Sequence, residues 1–526
     1  MDLTSSFTYT VNCAPQVSGS GRYIAYVTGH QLIVRSTSTL ATKRIITLPG
    51  DFARRALIIR WDKCIPDSSE QRLAVATADE VRTFSIDNGG NGERIEDTGR
   101  EGATILPGKE EIANVEWWSC RYSSEESNGN NDSQIVRLAV FSRAALKTSI
   151  WSSDGLELEI ASPKIASTLK GCSRGFSVLT RPYSSDIVQS LQLESLAISR
   201  EKKLVRSMTL HGCLDVKDAK WSRTGNWLAT IDTPAMGYRV SVWGADGTLV
   251  HTYHGINQDL VEDGELGAQT IEWIEKDDRE YLLIGDMQEQ VIVLDALTYQ
   301  PTAVIKHGSL IETENEIPIW IEDTSSTHGL SYRTVTNPFY PPRTAKEYGM
   351  DLVEVSRDHS LLATQVASMP YTVFIWSLDG QNTTLLTCIT HSSPINDLTW
   401  NPDSSALLIL PTEGGIIGVW NRNSPGAPVL KELTLISPDF GNLHSAEWIS
   451  PTQFLFYDSR SFALGQLIED YPHDSYPSRE GSPALLQDDD TNVRDLVNGV
   501  QQSEWAEDPD LIGMDDTFHR LSVKPT

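Results

Sequence analysis

Short apolar runs alternate with polar turns along this chain, and one arrangement of the two recurs. In "TVFIWSLDGQNTTLL" (372–386) an apolar run ends at Trp376, the pair Asp379-Gly380 follows, and a second apolar run begins. Asp-Gly and Asn-Gly tolerate the positive φ angles of a tight hairpin, so the motif predicts two antiparallel strands. The same order stands at "SIWSSDG" (149–155), at "SVWGADG" (241–247) and, with Phe84 in place of the tryptophan, at "TFSIDNGG" (83–90).

An earlier aromatic residue precedes most of these hairpins. Trp221 stands about twenty residues before Trp243, and Trp400 about twenty residues before Trp420. In "NVEWWSC" the pattern selects Trp118 for this earlier position. A polar turn and another apolar run lie between the two members of a pair, so the unit is strand, turn, strand, tight turn, strand. The tryptophans expected to be structural members of such units are Trp151, Trp221, Trp243, Trp273, Trp376, Trp400, Trp420 and Trp448.

The unit repeats about every 45 residues, a period typical of a propeller blade. Nine candidate units begin near residues 16, 56, 111, 160, 215, 267, 350, 395 and 440. A four-stranded blade cannot bury both of its faces alone, but it can when neighbours stack against it, and the tryptophans then fill the wedge between blades. A β-sandwich with scattered tryptophans would not keep one aromatic spacing over several units. The sequence therefore predicts an all-β, WD-type β-propeller of divergent four-stranded blades.

The number of blades stays open at this level. Nine units are compatible with seven to nine blades, in one large ring or in two merged rings. We expect the propeller to span residues 1–470. The segment "FTYTVN" (7–12) is expected to supply the strand that closes the ring against the last unit and leaves no exposed edge.

The units depart from the usual WD-repeat pattern. No Gly-His pair precedes a unit at the usual distance, and the tryptophan is followed not by aspartate but by Ser152, Gly244, Ser377 and Asn421. We therefore expect the buried Asp–His hydrogen-bond network of such repeats to be mostly missing. Apolar packing between blades would then carry more of the stability.

Residues 309–349 separate the sixth unit from the seventh. "IPIWIED" (317–323) and "SYRTV" (331–335) read as two strands, so an extra hairpin that closes the sixth unit is expected here, followed by the rigid connector "NPFYPP". Phe339 and Tyr340 in this connector are candidate anchors for a protein partner. The alternative is that they pack onto the rim of the ring.

The strand pattern stops at residue 471. Residues 471–526 hold twelve acidic and four basic residues, with Pro, Ser and Gly throughout, a composition that predicts a largely disordered acidic tail. Within it, "SEWAEDPDLIGMDDTFHRLSV" (503–523) interleaves apolar residues with acids, and Trp505 and Phe518 are candidate partner-binding residues. The alternative is a solvated tail whose apolar residues have no partner.

Composition narrows the class of protein. A net charge of −28 opposes phosphate backbones and anionic bilayers, so neither nucleic acid nor membrane is expected as a direct partner. No apolar run reaches the roughly 18 residues that a membrane helix needs, and the N-terminus does not read as a secretory signal. The six cysteines are scattered without a Cys-x-x-Cys pair, which indicates reduced thiols and favours a cytoplasmic protein.

No catalytic, cofactor-binding or metal-binding signature appears. The sequence has no His-Glu-x-x-His, no Gly-x-Ser-x-Gly and no phosphate loop, and its eleven histidines include no pair at metal-ligand spacing. We therefore expect a protein without enzymatic activity, cofactor or metal.

One short segment resembles a lipid-reading motif. "FARRALI" (52–58) is similar to the Phe-Arg-Arg-Gly motif of propellers that read phosphoinositides, but Ala53 splits the motif and Ala56 replaces its glycine. The negative charge of the chain also opposes docking on an anionic bilayer. Arg54 and Arg55 are therefore expected to be solvated or salt-bridged.

Two blocks of the chain resemble one family, WD-repeat protein eight, the centrosomal WD-repeat protein encoded antisense to a p53-related gene. "YRVSVWGADGTLVHTYHG" (238–255) with the following residues 269–308 is similar to that family's fifth and sixth repeats. Residues 337–380 look like its Asn-Pro connector, a strand with "LAT", the pair Met369-Pro370 and a "V-x-I-W" strand. The resemblance extends loosely over the predicted propeller and is that of a fungal member.

The resemblance implies a non-catalytic scaffold at microtubule-organising centres. Members of the family pair with a coiled-coil anchoring protein and, in fungi, with a minus-end-directed kinesin, and together they tether microtubule minus ends. It further implies a cytoplasmic location at the spindle pole body or centrosome. The alternative is a generic cytosolic WD-repeat scaffold in another multiprotein assembly. Microtubule surfaces are themselves acidic, so no direct binding to the lattice is expected and a basic partner would bridge the two.

Overall fold

A computed structural model gives the fold. It describes residues 2–468 except 7, 64–69, 88–100, 109, 123–132, 165–169, 173–174, 183–184, 193–204, 257–266, 312–316, 325–329, 336–338, 345–347, 380–382, 414, 425, 435–439, 441–442 and 444. The predicted tail, with Trp505 and Phe518, lies outside the described residues.

Nine antiparallel sheets follow one another along the chain, and each forms one blade. Two short strands, β1 (Asp2–Ser5) and β2 (Tyr9–Thr10), precede the first blade. The strands of blades 1 to 3 are β3 (Gln16–Val17), β4 (Tyr23–Thr28), β5 (Gln31–Ser36), β6 (Thr42–Thr47), β7 (Ile58–Trp61), β8 (Glu70–Ala76), β9 (Val81–Asp87), β10 (Glu101–Ile105), β11 (Ile112–Tyr122), β12 (Ser133–Ser142), β13 (Lys147–Ser152) and β14 (Gly155–Ala161).

Blades 4 to 9 continue the series. Blades 4 to 6 hold β15 (Lys170–Cys172), β16 (Gly175–Thr180), β17 (Ile187–Gln192), β18 (Val205–Thr209), β19 (Val216–Trp221), β20 (Trp227–Asp232), β21 (Val240–Gly244), β22 (Leu249–Tyr253), β23 (Ala268–Lys276), β24 (Arg279–Asp286), β25 (Gln290–Asp295) and β26 (Pro301–Lys306). Blades 7 to 9 hold β27 (Ile319–Asp323), β28 (Ser331–Val335), β29 (Met350–Val355), β30 (Leu361–Val366), β31 (Thr372–Ser377), β32 (Thr384–Thr390), β33 (Ile395–Trp400), β34 (Ala406–Pro411), β35 (Ile416–Asn421), β36 (Val429–Glu432), β37 (Ser445–Trp448), β38 (Gln453–Tyr457) and β39 (Ser461–Ile468). Helix α1 (Gly50–Arg54) and a 3₁₀ turn (Pro234–Met236) lie in connections.

Nine apolar clusters hold the blades together, one at each boundary between neighbours. The cluster between the last blade and the first includes Leu455 and Phe462 of blade 9 with Ile24 and Tyr26 of blade 1. Because each blade buries its two faces against two neighbours, the sheets form a single closed ring of nine blades. The prediction of a propeller is confirmed, and its open blade number resolves to nine in one ring.

The ring is closed by strands from the two ends of the described chain. Strand β1 pairs antiparallel with β39, with Asp2 opposite Ile468 and Ser5 opposite Gly465. Strand β2 pairs with the beginning of β39, so it continues the same closure. The predicted closing segment 7–12 is therefore confirmed in part, since most of the pairing falls before residue 7.

The inserted hairpin extends blade 7 rather than blade 6. Strand β27 pairs in parallel with the outer strand β32, with Ile319 opposite Cys388, and β28 pairs with β27 to give a six-stranded sheet. The Thr387 hydroxyl donates to the Pro318 carbonyl at 2.7 Å and fixes the entry of the hairpin. The expectation that this hairpin closes the sixth unit is wrong, because β26 already completes blade 6 while β32 offers it an edge to pair with.

Candidate protein-interaction surfaces

At five blade boundaries in the described part of the chain, a tryptophan of the first strand binds the backbone of the blade before it. The Trp273 indole donates to the carbonyl of Lys220, one residue before the equivalent Trp221 in the preceding blade. The same donation to the residue before the aromatic position recurs in five bonds of 2.8 to 3.0 Å: Trp61 to Gln16, Trp117 to Arg60, Trp273 to Lys220, Trp400 to Glu354 and Trp448 to Thr399. These indoles therefore do more than fill a wedge, because each also satisfies a backbone acceptor across a blade boundary.

In blade 3 the bridging residue is Trp117, and not Trp118 as the sequence pattern selects. Trp117 stands opposite Leu138, as Trp273 stands opposite Leu282. Trp118 faces blade 4 instead, where its ring lies 5.2 Å from the ring of Phe176. Adjacent residues of a strand point to opposite faces of the sheet, so shifting the assumed register by one residue exchanges the roles of Trp117 and Trp118.

Two tryptophans of the third strands, Trp243 and Trp376, donate a hydrogen bond to a threonine on the second strand of their own blade. Trp243 is fully buried and its indole donates to the Thr230 hydroxyl at 3.0 Å. Trp376 makes the equivalent bond to Thr364 at 2.9 Å. The remaining predicted blade tryptophans are also placed at blade boundaries: Trp151 between blades 2 and 3, Trp221 between blades 4 and 5, and Trp420 against Trp400 with ring centroids 6.2 Å apart.

A histidine completes a buried polar relay in blade 7. His307, from the end of blade 6, has its Nε2 2.8 Å from the Thr364 hydroxyl and its Nδ1 2.7 Å from the Glu289 carbonyl oxygen. Burial lowers the pKa of His307 to about 4, so the ring is neutral. The relay contains no aspartate, so it differs from the Asp–His network of the usual WD repeat, whose loss is expected from the sequence. The signal in the sequence is the reversed pair His307-Gly308.

A buried ion cluster joins blades 4 and 5. The Asp186 carboxylate, almost without solvent contact, lies 2.9 Å from the Lys164 ammonium and 2.6 Å from the Arg181 guanidinium. Lys164 also lies 2.8 Å from Asp215, and its hydrogen bond to that carboxylate lowers the pKa of Asp215. In this cluster Lys164 and Arg181 supply the polar contacts between neighbouring blades that His307 supplies between blades 6 and 7. Polar contacts as well as apolar packing thus join the blades.

The residues that replace the aspartate after the tryptophan keep its turn-capping role. The Ser152 hydroxyl accepts from the Asp154 amide at 3.2 Å, and Asn421 accepts from the Asn423 amide at 2.9 Å. In blade 6, where Leu294 occupies the tryptophan position, Asp295 accepts from two amides of the following turn at 2.8 Å. The departure from the WD dipeptide therefore leaves the turn chemistry intact at Ser152, Ser377 and Asn421, but not at Gly244, which has no side chain to cap its turn.

The centre of the ring carries a crowded set of carboxylates on the first strands. Burial, with the neighbouring carboxylates of Glu272 and Asp397, raises the pKa of Glu354 to about 7. Burial also raises the pKa of Asp397. Lys220 forms an ion pair with Glu272 and offsets part of this repulsion. The lining of this region of the channel is acidic, in keeping with the net charge of the chain.

Exposed apolar side chains concentrate on one face of the ring. We name it the loop face; it carries the connections between blades and those between the second and third strands of each blade. Among the residues that the structure describes, eight of the twelve large apolar residues with high exposure lie on it: Leu57, Leu106, Leu146, Leu214, Met236, Ile256, Tyr340 and Tyr348. Single exposed apolar residues are ordinary, but their concentration on one face marks it as a candidate surface for a protein partner.

The two candidate anchors of the connector have different surroundings. Phe339 exchanges backbone hydrogen bonds with Ile311 and packs against the cluster between blades 6 and 7. Tyr340 is 67% exposed on the loop face. Partner binding by Tyr340 stays a prediction that its exposure favours, whereas Phe339 is committed to the ring.

The arginine pair near helix α1 is placed as expected. Arg55 contacts Asp79 at 2.8 Å and Asp51 at 3.3 Å, and Arg54 is exposed. Phe52 is buried in the boundary between blades 1 and 2. The segment is thus a salt-bridged surface turn on a buried phenylalanine.

The described part of the chain shows no group of three or more metal-ligating side chains, and none of its helices is long and apolar enough to cross a membrane. Four cysteines in this part, Cys13, Cys120, Cys213 and Cys388, are free thiols, and burial raises the pKa of each.

Nine four-stranded blades with this turn chemistry define a β-propeller of the WD40 type, a fold that typically serves as a non-catalytic scaffold for protein interactions. No family model matches the chain. Among curated proteins it is similar to the WD repeat-containing protein WRAP73 of Mus musculus, 22% identical over an alignment of 234 residues that covers 39% of this chain and 48% of that protein. The chain thus spans about half the length of the curated relative it matches.

Similarity to solved structures is found at low sequence identity. The C-terminal WD40 domain of Sif2 is 11% identical, with a TM-score of 0.44 over 78% of this chain and 94% of that one. A eukaryotic initiation factor is 12% identical, with a TM-score of 0.49 over 83% of this chain and 90% of that one.

Proposed function

We propose that this protein is a non-catalytic scaffold at the spindle pole. In this role it helps anchor microtubule minus ends through a coiled-coil partner and a minus-end-directed kinesin. We infer that the protein is a member of the WD-repeat protein eight family and that it is located in the cytoplasm, at the spindle pole body or centrosome.

The observation that carries the proposal is the resemblance of residues 337–380 to that family, together with the place of its most unusual pair. Met369 is fully buried, and the Pro370 carbonyl accepts from the Ile395 amide at 2.8 Å and from the Gln365 side chain at 2.9 Å. The pair thus forms the corner at which blade 7 meets blade 8. Because the Met-Pro pair has this structural role, its presence supports a fold of the segment that is shared with the family rather than a chance match.

The architecture supports a scaffold as the kind of function. A closed ring of stacked blades is rigid, and its loop face presents separate apolar side chains in polar surroundings, the arrangement by which interfaces use a few anchors with a polar rim. The acidic surface speeds encounter with basic segments and opposes direct contact with an acidic microtubule.

Proximity labelling in dividing cells, with the tagged protein imaged beside a spindle-pole marker, tests the proposal. We expect the tag at the poles and recovery of a coiled-coil pole protein together with a minus-end-directed kinesin. Recovery only of coat or ribosome-associated proteins, with no signal at the poles, would contradict it and favour the second candidate, a WD-repeat scaffold of another cytosolic assembly.

A pair of variants makes this experiment specific to a surface. Tyr340→Ala removes an exposed ring from the connector, and Tyr348→Ala removes a 60% exposed ring from the same inserted segment. Loss of the coiled-coil partner with the first variant alone places the contact at Tyr340, whereas equal recovery with both removes Tyr340 from the interface.

A further inference from the structure

Blade 1 differs in charge from the chain as a whole. Residues 3–50 contain no aspartate or glutamate, whereas the full sequence has 71 acidic and 43 basic residues. The basic residues of this stretch all belong to blade 1 and are Arg22, Arg35, Lys43 and Arg44. The guanidinium of Arg35 lies over the ring of Tyr9 at 4.8 Å, so the other three are left to face solvent.

These three side chains reach solvent without a carboxylate beside them. Arg22 and Lys43 are exposed, Arg44 is partly exposed, and none of them forms an ion pair in the described part of the chain. The Arg22 carbonyl accepts from the Thr37 amide at 3.0 Å, and Thr37 begins the turn that leads into β6. Arg22 and Lys43 therefore lie at the same end of blade 1. We name the surface formed by Arg22, Lys43 and Arg44 the basic edge.

Other blades neutralise the arginines of the corresponding turn, the one between the first and second strands. In blade 5, Arg223 lies 3.5 Å from Glu275 of the next blade. In blade 7, Arg357 lies 3.6 Å from Asp403 of the next blade. Arg22 has no such neighbour among the described residues, so its charge stays available for another carboxylate.

The elements around the basic edge do not cancel its charge. Strands β1 to β6 and β37 to β39, with their turns, carry five basic and three acidic residues: Arg22, Arg35, Lys43, Arg44 and Arg460 against Asp2, Glu447 and Asp458. Glu447 is paired with Lys63 of blade 2, and Asp458 accepts from two amides of its own turn. Blade 1 and its neighbour blade 9 thus carry a surplus of positive charge in a chain of net charge −28.

The described chain ends beside the basic edge. The Leu467 amide, one residue before the end of β39, donates to the Thr452 carbonyl at 2.7 Å. Thr452 belongs to the turn between β37 and β38, and this turn contacts blade 1, because a Cβ atom on Gly21 would collide with the carbonyl oxygen of Ile449. The residues that follow β39 in the sequence are therefore attached next to the turn that carries the first arginine of the basic edge.

Those following residues are strongly acidic. Residues 488–516 hold ten acidic residues and one arginine. Residues 469–487 connect them to the ring, a length that spans about 60 Å when fully extended. A segment attached by such a short linker meets its own ring at an effective concentration of about a millimolar, so weak contacts are enough to hold it.

We propose that residues 488–516 bind the basic edge of blade 1 in the same molecule. Their carboxylates would pair with the side chains of Arg22, Lys43 and Arg44. Each exposed pair contributes little by itself, but several pairs act together on a segment that is already tethered. The bound segment would cover the positively charged part of the ring. The inference does not depend on the spindle-pole role.

Zero-length cross-linking of the full chain tests the contact. A carbodiimide joins a lysine amine to a carboxylate that touches it, and mass spectrometry identifies the linked peptides. Lys306, exposed in the outer strand of blade 6, is the matched control for Lys43 in the outer strand of blade 1. We expect cross-links from Lys43 to residues 488–516 at a yield at least about tenfold above those from Lys306.

The charge of the basic edge is tested in the same assay. Arg22→Glu should lower the cross-links from Lys43 at least about threefold, whereas Arg223→Glu, in the corresponding turn of blade 5, should leave them within error. Raising the salt concentration from about 0.05 M to about 0.5 M should lower them in the wild-type chain as well. The salt series needs no substitution, so it keeps the test valid if Arg22→Glu lowers the melting temperature.

Three results would overturn the inference. The first is an equal yield of cross-links from Lys43 and Lys306, and the second is cross-linking of Lys43 chiefly to carboxylates of blade 2. The third comes from a mixture of isotope-labelled and unlabelled chains: cross-links that join the two kinds of chain as often as one kind to itself would place the segment on a second copy. The outcome is separate from that of the spindle-pole experiment, because neither the contact nor its loss requires a partner.

Discussion

The indole nitrogen of Trp273 lies 2.9 Å from the carbonyl oxygen of Lys220, across the boundary between blades 5 and 6. Trp273 is 8% exposed, so its N–H would have little access to water if this bond were lost. The bond repeats at four other boundaries and therefore belongs to the unit of the fold.

Replacing Trp273 with phenylalanine should show what this bond contributes. Trp151 provides the control, because its indole nitrogen is buried and has no hydrogen-bond partner among the described residues. Both substitutions remove part of a large ring, but only Trp273→Phe removes a bond and leaves a carbonyl unpaired. We expect Trp273→Phe to lower the free energy of unfolding by about 1 kcal/mol more than Trp151→Phe, measured by urea denaturation. Equal losses would contradict a stabilising role of the bond.

His307 should make stability depend on pH. Its pKa is about 4 in the fold and near 6.5 when unfolded, so between these values the unfolded state binds the extra proton and stability falls as pH falls. From pH 7 to pH 5 the wild type should lose about 2 kcal/mol more than His307→Gln, because the other titrating groups are common to both proteins. Urea midpoints at the two pH values measure the difference. Parallel losses would mean that His307 titrates normally.

The inserted hairpin is held by a tight contact at Gly418. A Cβ atom there would lie 2.7 Å from the Tyr332 hydroxyl, which itself lies 3.0 Å from Nε2 of the buried His391. Gly418→Ala should therefore destabilise the protein by about 2 kcal/mol. Gly426→Ala, with nothing within 4 Å of the added atom, is the control. Adding Tyr332→Phe should recover part of the loss in Gly418→Ala; a further loss would place the clash elsewhere. Thermal unfolding measures all four proteins.

The ion cluster between blades 4 and 5 predicts a large loss for one small change. Asp186→Asn removes the more buried of the two carboxylates that face Lys164 and Arg181 and should cost about 3 kcal/mol, because the two cations then share only the carboxylate of Asp215. Asp379→Asn, which loses an exposed ion pair with Arg422, should cost less than about 1 kcal/mol. Similar losses in chemical denaturation would mean that the cluster is effectively solvated.

The purified protein should not sediment with microtubules. Both surfaces are acidic, and low salt, which strengthens any attraction, strengthens this repulsion as well. Sedimentation with taxol-stabilised microtubules at low ionic strength, with a tubulin-free sample as control, measures it. Sedimentation of the protein without a partner would refute bridging by a basic partner.

The sequence predicts those features of this fold that local chemistry decides. Trp376 with its Asp379 turn is visible in a few residues, and the predicted unit starts at 16, 267, 350 and 395 coincide within one residue with β3, β23, β29 and β33. Such hairpins are determined by residues that are close together in the chain, so the sequence alone is enough to predict them.

Features decided by distant residues could not be predicted in the same way. The parallel pairing of Ile319 with Cys388 joins residues far apart in the chain, and nothing local favours blade 7 over blade 6. The choice between Trp117 and Trp118 depends on a register shift at the start of β11.

The pairing of Asp2–Ser5 with Gly465–Ile468 has a consequence for biosynthesis. Eight blades can assemble as the nascent chain leaves the ribosome. The ninth cannot, because its outer strand β1 is made first and the strand that pairs with it, β39, is made last. Until β39 has emerged, Asp2–Ser5 have no strand to pair with and the ring is open. A chaperone, or the equivalent strand of a second nascent copy, can then compete for the unpaired strand edge. Completion of the ring is thus the last step of assembly, and a protein fused to the N-terminus would interfere with that step more than with the formation of the other blades.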